Sequence, residues 1–295
     1  MVEGDLFPEC VTKYSDLLAV PLTKIYNMIL ASRTWPSPWK KETVTVIPKS
    51  PSASTFEECR NLSCTPLFSK LMESYLMEMI SSEVKVDTTQ YGGIKRCGTE
   101  HFLLQAWNNI LTTLEDNRSS MNLITIDYAK AFNRMSHQHC LQAFKVKGAS
   151  QLTIDLIAAF LKGRTMQVKV GEAMSEPRPI QGGSPQGCVT ANVLFCATIE
   201  ALQSGQLEQV DQTADVGVLR RDERTNNITM YAGDTLLFDI PSEESTDEYV
   251  VPFEYNGITT DTSPLSKTNF NPRSISSPFL NEFPGYSRSH YEVCP

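Results

Sequence analysis

Apolar and polar positions divide the chain into short elements of mixed type. Residues 10–32 carry apolar side chains at helical spacing, interrupted at Pro21, which predicts a second helix with that proline in its first turn. W-P-S-P-W-K at 35–40 predicts an extended turn, and E-T-V-T-V-I at 42–47 alternates as a strand does, ending at Pro48. Pro66 opens a helix to residue 82 in which Leu67, Leu71, Tyr75 and Met79 recur on one face. Q-Y-G-G at 90–93 is a turn, and 98–115 is a helix whose expected buried stripe is Phe102, Leu103, Ala106, Ile110 and Leu114.

The second half switches period repeatedly. L-I-T-I at 123–126 has the composition of a buried strand, and it ends on a carboxylate, Asp127. Ser136 is an N-cap for a helix to about 147 that stops at Gly148, and Ser150 caps another that ends at Gly163. Residues 164–170 alternate as a strand, and P-I-Q-G-G-S-P-Q-G at 179–187 is a loop leading into an apolar helix over 189–202. Two short strands, 228–232 and 235–240, flank Gly233-Asp234 as a tight hairpin with an acid at its tip. Beyond Pro241 the chain turns acidic, then rich in Ser, Thr, Pro and Asn, a composition that predicts disorder. Together these elements predict an α+β protein.

Composition narrows the classes. No run approaches ~18 continuous apolar residues, and M-V-E-G-D-L-F-P-E-C at the start has neither a basic region nor an apolar signal core. The expectation is a soluble, intracellular protein, cytoplasmic or nuclear, with no membrane segment. The eight cysteines (Cys10, Cys59, Cys64, Cys97, Cys140, Cys188, Cys196, Cys294) include no C-x-x-C pair, which argues against a zinc site or disulfide framework. His137, His139 and Cys140 cluster, but at helical spacing they point to different faces. The formal net charge of -8 runs against the basic surface expected of a nucleic-acid enzyme. The imbalance is local: residues 201–295 hold 6 Lys+Arg against 15 Asp+Glu, whereas residues 1–200 hold 20 against 19. The near-neutral body can still gather Lys and Arg in one groove.

Asp127 at a strand end and Asp234 at a hairpin tip are the residue type that two-metal nucleotidyl transfer requires. Magnesium takes hard oxygen ligands in octahedral geometry, and two ions ~3.5–4 Å apart activate a hydroxyl and stabilise a leaving pyrophosphate. Spacing alone does not join the two acids; a set of ordered motifs does. W-P-S-P-W-K-K-E-T-V-T-V-I-P-K, E-C-R-N-L-S, F-S-K-L-M-E, Q-Y-G-G-I, D-Y-A-K-A-F, F-L-K-G-R-T-M-Q-V-K-V and G-S-P-Q-G-C follow one another from about Trp35 to Phe238. In that order the chain resembles the reverse transcriptase domain of non-LTR retrotransposons.

The resemblance implies a right-hand polymerase: an N-terminal helical extension at 1–34, fingers at 35–120, a palm at 121–240, an acidic tail at 241–295 and no thumb or endonuclease domain. It implies RNA-directed DNA polymerase activity on an RNA or DNA template-primer with deoxynucleotides, using Mg²⁺ or Mn²⁺ and no organic cofactor or membrane. Asp127 and Asp234 would bind metal and act in catalysis. Lys49 would lie near the incoming triphosphate and Arg60 would bind it. Phe132 would screen out a ribose 2′-hydroxyl, Gln186 would contact template and nucleotide, and Tyr231 would open the metal motif beside the nucleotide.

The sequence departs from the family in two places besides its length. Where the family reads Y-x-D-D, this chain reads Tyr231-Ala232-Gly233-Asp234, so Gly233 replaces the principal metal ligand. A metal's contribution is several kcal/mol and each ~1.4 kcal/mol is tenfold in rate, so the expected polymerase is impaired by about three decades or more. Asn61 stands where the family has proline after the arginine. The alternatives are a non-catalytic retroelement remnant that binds nucleic acid or protein, and a translated pseudogene with an uncovered apolar face. On the bland reading Gly233-Asp234 is a plain turn, Phe132 is core, and Lys49, Arg60 and Gln186 are solvated. Tyr249 and Tyr291 are candidate phosphorylation sites in the tail.

Overall fold

The computed structural model describes residues 8–53, 55, 58–87, 89–115, 121–126, 131–203, 227–232, 234–239, 254–255, 258–259 and 268–270. Its elements in chain order are α1 (Pro8–Lys13), α2 (Ser15–Ser32), β1 (Lys41–Pro48), β2 (Cys59–Cys64), α3 (Leu67–Glu83), α4 (Thr99–Glu115), β3 (Met121–Ile126), α5 (Ala131–Arg134), α6 (His137–Val146), α7 (Gln151–Leu161), β4 (Thr165–Val170), β5 (Ala173–Met174), β6 (Arg178–Pro179), α8 (Ala191–Gln203), β7 (Asn227–Tyr231), β8 (Asp234–Asp239), β9 (Glu254–Tyr255), β10 (Ile258–Thr259) and β11 (Thr268–Phe270). A single 3₁₀ turn, Ser37–Lys40, precedes β1.

Local chemistry sets most of the ends. The Ser136 hydroxyl accepts from His139 N and caps α6, and Ser150 does the same for α7 through Thr153 N. At the N-terminus the structure corrects the expected break: α2 runs through Pro21, and the chain interrupts at Tyr14 instead. Proline removes one intrahelical N–H. The carbonyl it leaves is that of Leu17, which is exposed, so water can meet it.

Two sheets form. The first has β1 antiparallel to β2 and parallel to β4, with β5 and β6 added to β4. Strand 165–170, which falls in the 121–240 segment, therefore completes the sheet begun in the 35–120 segment. The second is antiparallel throughout, in the order β11-β3-β8-β7, and α4 packs on it through Ala106 and Ile110 against Leu236. Past residue 240, where composition predicts disorder, β9 pairs with β10, and β11 adds to β3. An edge strand offers unpaired N–H and C=O groups to any extended segment that reaches it.

The main core lies among α3, α6, α7 and α8: Met72, Leu76 and Ile80 meet Phe144, Leu156, Phe160, Leu194 and Phe195, with Trp35 edge-to-face on Phe160. Both helical faces read from apolar spacing need correction. Leu71 and Tyr75 of α3 are exposed, and the buried face is Met72, Leu76 and Ile80 together with two polar residues, Ser69 and Glu73. On α4, Leu103 is 61 % exposed, while Ala106 and the amide residue Asn109 are buried. In each case a buried polar residue with a hydrogen-bonding partner sits inside the stripe, and a count of apolar positions passes over it. Among the described residues no helix is long and apolar enough to cross a membrane.

Candidate active site

The hairpin comes first. β7 and β8 pair with Tyr231 opposite Asp234, leaving a two-residue connection. Ala232 has φ +52, the left-handed region that such turns require and that costs a residue with a Cβ about 1–2 kcal/mol. Gln90 meets this cost. Its side-chain Oε1 accepts from Ala232 N at 2.9 Å and from Gly92 N at 2.8 Å. On either side, Met230 N donates to Thr89 O and Tyr91 N donates to Met230 O, both at 2.8 Å. Gly92 must be a glycine, since a Cβ there would lie 2.0 Å from Ala232 N.

The clamp is fixed from behind by α8. Asn192 Nδ2 donates to Gly92 O at 3.0 Å. Glu200 Oε2 accepts from Asp87 N at 3.1 Å and from Lys147 Nζ at 2.6 Å. Burial pushes the Glu200 carboxyl above the usual range, and the Lys147 hydrogen bond and charge oppose that.

Strand register then relates the two acids. Ile126 at the end of β3 is the Cα partner of Thr235 in β8. Asp127 follows Ile126 and lies outside the described residues, and Asp234 precedes Thr235 and opens β8. The two chain positions called for metal thus flank a paired couple of residues. Among the described residues no cluster of three His, Cys, Asp or Glu side chains could hold a metal.

The glycine-rich loop is the third part, and it touches both lobes. Gly183 N donates to Met135 O at 2.7 Å and Ser184 N to Phe132 O at 2.8 Å, while His137 Nε2 lies 2.7 Å from Gly183 O. With φ +80 and a would-be Cβ 2.6 Å from Phe132 O, Gly183 is required for that approach. On the other side Ser63 N of β2 donates to Gln186 O at 2.8 Å, and Val189 N donates to Glu73 Oε2 of α3 at 2.9 Å. Burial pushes the Cys188 thiol in this loop up to about 11, so it is an inert packing group.

The candidate residues fall into three groups. Phe132 and Gln186 are tied through the loop backbone, and the Phe132 ring packs on Phe195 with centroids 4.9 Å apart. Lys49 and Arg60 are exposed at the far end of the β1–β2 pair, where Lys49 N donates to Glu58 O and Arg60 lies opposite Ile47. Tyr231 is half-buried on the hairpin, its ring edge-to-face with Phe102 of α4. Tyr249 and Tyr291 lie outside the described residues. Sequence reasoning gave no role to Gln90, Ser63 or Glu73, and weighed His137 only as part of a metal cluster. For Glu73 a signal existed: it closes the F-S-K-L-M-E motif, one turn before Leu76 and two before Ile80, where a core side chain belongs.

An antiparallel sheet whose central strands finish beside a tight hairpin, backed by helices and joined through one loop to a second sheet, is the palm-and-fingers layout of a right-hand polymerase. The family of reverse transcriptases (RNA-dependent DNA polymerase) matches residues 47–252. The chain belongs to that family. It is 26% identical over 221 residues to the RNA-directed DNA polymerase from mobile element jockey of Drosophila melanogaster, covering 73% of this chain and 23% of that protein. It is 24% identical over 208 residues to the Pol polyprotein from type-1 retrotransposable element R2 of Popillia japonica, covering 69% and 28%. The chain thus spans about a quarter of the length of these curated relatives. The apo telomerase of Candida tropicalis, truncated from the C-terminal domain, superposes with a TM-score of 0.44 at 12% identity over 75% of this chain and 49% of that one.

Proposed function

We propose that this domain is an RNA-directed DNA polymerase module that adds deoxynucleotides to a primer 3′-hydroxyl, and that Gly233 has left it weak. The observation that carries the reading is the β3–β8 register beside the Gln90-held hairpin, in a chain of this family. That register supports Asp127 and Asp234 as the two carboxylates that would hold Mg²⁺ or Mn²⁺. Two hard oxygen donors suit one such ion, and the acid missing at 233 is the deficit. When bound, the metal supplies the Lewis acidity that activates the primer hydroxyl and stabilises the leaving pyrophosphate.

The remaining roles belong to the chain. Arg60, with its planar fork of donors, binds the triphosphate, and Lys49 adds a second charge at the same end of the sheet. Register supports this face: Thr45 pairs with both Leu62 and Lys169, and Ile47 with Arg60, so these exposed residues share one side with Lys41. Glu42, the acid of these three strands, is turned inward and bonded to Arg164. Lys41, Arg60 and Lys169 therefore give this sheet an exposed basic face that could meet a phosphate backbone. Phe132 presents bulk against a 2′-hydroxyl, Gln186 meets template and nucleotide, and Tyr231 lies beside the nucleotide.

Primer extension on poly(rA)/oligo(dT) with Mg²⁺ or Mn²⁺ tests this. Gly233→Asp should gain about three decades of extension, as loss of a metal ligand's several kcal/mol implies, and adding Asp127→Ala should abolish the gain. A folded Gly233→Asp protein that extends nothing would leave binding as the function. The charge distribution motivates that second reading, a non-catalytic remnant that binds nucleic acid or protein, since residues 201–295 hold 6 basic and 15 acidic residues.

A further inference from the structure

Glu73 is a carboxylate placed where helix α3 needs a core side chain. It is 0 % exposed, and its neighbours on the same face are Met72, Leu76 and Ile80. An apolar residue would fill this position without burying a charge. What the carboxylate adds is a set of fixed connections. Trp35 Nε1 donates to Ser69 Oγ at 3.2 Å, Ser69 Oγ donates to Glu73 Oε1 at 3.2 Å, and Val189 N donates to Glu73 Oε2 at 2.9 Å. Ser69 is itself 0 % and Trp35 3 % exposed, so the line is buried from Trp35 to Glu73 and reaches solvent only at Val189.

Those contacts decide where Gln186 sits. The loop is pinned at its start to Phe132 and Met135, and in its middle to Ser63, three residues along the strand from Arg60. At its end it is pinned to Glu73. Removal of the last anchor takes the carboxylate acceptor from the Val189 amide just before α8 begins, and leaves Gln186 with its own bond from Ser63 N and the anchors at Gly183 and Ser184 but no tie to α3. Val189 is 41 % exposed, so its amide can exchange the carboxylate for water, and a loop end bonded to water is no longer fixed to α3.

We propose that Glu73 is a positioning residue for nucleotide selection, setting the 183–189 loop against Arg60 and Phe132 through the Val189 amide. The proposal rests on the polymerase reading for the roles of Gln186, Arg60 and Phe132. It concerns the geometry of the nucleotide pocket and not the metal pair.

The test measures dTTP and UTP binding by the full chain on a dideoxy-terminated primer with poly(rA) template and Mg²⁺, in the wild type, Glu73→Leu, Glu73→Gln, Ser69→Ala and the core truncation Leu156→Ala. Glu73→Leu should raise the dTTP Kd tenfold or more and narrow the preference for dTTP over UTP. Glu73→Gln keeps an oxygen for the Val189 amide and should stay within threefold of wild type. Ser69→Ala, which removes one of the carboxylate's two anchors, should raise Kd about threefold. Leu156→Ala should lower Tm and leave the dTTP-to-UTP ratio alone. Template-primer affinity without nucleotide should not change in the Glu73 variants.

The proposal is overturned if a folded Glu73→Leu binds both nucleotides as wild type does, or if Leu156→Ala alters the ratio as much. If Glu73→Leu does not fold, an unchanged Kd in Ser69→Ala overturns it. If the wild type binds no nucleotide, the polymerase reading has failed, and hydrogen exchange of residues 182–190 decides the inference. Deprotection confined to that loop in Ser69→Ala, with Glu73→Gln as protected as the wild type, supports Glu73 as its anchor, and unchanged protection in Ser69→Ala refutes it.

Discussion

The two tips that face the candidate site are held by different chemistry. The hairpin is gripped by a neutral carboxamide, Gln90, which takes two backbone N–H groups on one oxygen. The loop is gripped by a buried carboxylate, Glu73, which takes one backbone N–H and one hydroxyl. On the proposed metal roles of Asp127 and Asp234, a further carboxylate at position 90 would raise their proton affinity by like-charge repulsion, whereas an amide fixes the turn and adds no charge. Further back, charge is tolerated again: Glu200 braces the Gln90 segment with Lys147 beside it, and Arg164 lies near enough to Glu73 to favour its ionised form.

The sharpest way to break the hairpin side is at its rear anchor. Lys147→Met removes the counter-charge of Glu200, which is 3 % exposed, and leaves a buried carboxylate unpaired. The expected loss is about 3–5 kcal/mol at neutral pH, measured by urea unfolding, and a variant within about 1 kcal/mol of wild type would show the pair to be incidental. Next in size is Gln90→Leu, which strips the acceptor from Gly92 N and Ala232 N. Each orphaned donor costs about 1–3 kcal/mol. The loss should appear as exchange of residues 227–239 while 182–190 stays protected. Equal deprotection of both regions would mean that the clamps are one unit, not two.

The legible part of this molecule was what short-range chemistry dictates. The caps at Ser136 and Ser150, the strand before Asp127 and the existence of the hairpin could be read because each depends on a few adjacent residues, but the connection is 232–233, and Asp234 pairs with Tyr231 as the first residue of β8 instead of standing at the tip. Three features could not. β4 pairs in parallel with β1 across more than a hundred residues, and periodicity carries no partner information. Glu73 and Gln90 are polar residues buried by virtue of partners that only the tertiary fold supplies. Leu71 and Tyr75 of α3 and Leu103 of α4 were mistaken for buried residues because they obey the helical period as well as the true core does, whereas Ala106 and Ile110 of the α4 stripe do pack on the sheet. The motif matches were more informative than periodicity: F-S-K-L-M-E ends on Glu73 and Q-Y-G-G-I begins with Gln90, although the roles expected of the motifs went to other residues.

The comparison also has a pH signature, the smallest of the expected effects. Burial raises the Glu73 carboxyl above its ordinary value, against the Val189 amide, the Arg164 charge, the Ser69 hydroxyl and Lys70. Glu42, on the strand opposite, is raised by burial in the same direction, and so is Glu200. An acid whose folded pKa is raised contributes stability that is fully present below its unfolded value of about 4.5 and is lost as pH rises through the folded pKa. Stability should therefore decline as pH climbs above the ordinary carboxylate range, by at most about 1.4 kcal/mol per pH unit for each titrating proton. Glu73→Gln removes one of the three contributions and should flatten the curve in part, since Glu42 and Glu200 still titrate. Gln90→Glu places a new acid in a site 3 % exposed and should steepen it. Urea midpoints between pH 5 and 8 for the three proteins decide the matter: a Glu73→Gln slope equal to that of wild type would mean that Glu73 holds its loop in one protonation state throughout, and the contrast between a titratable anchor and a neutral one would lose its functional content.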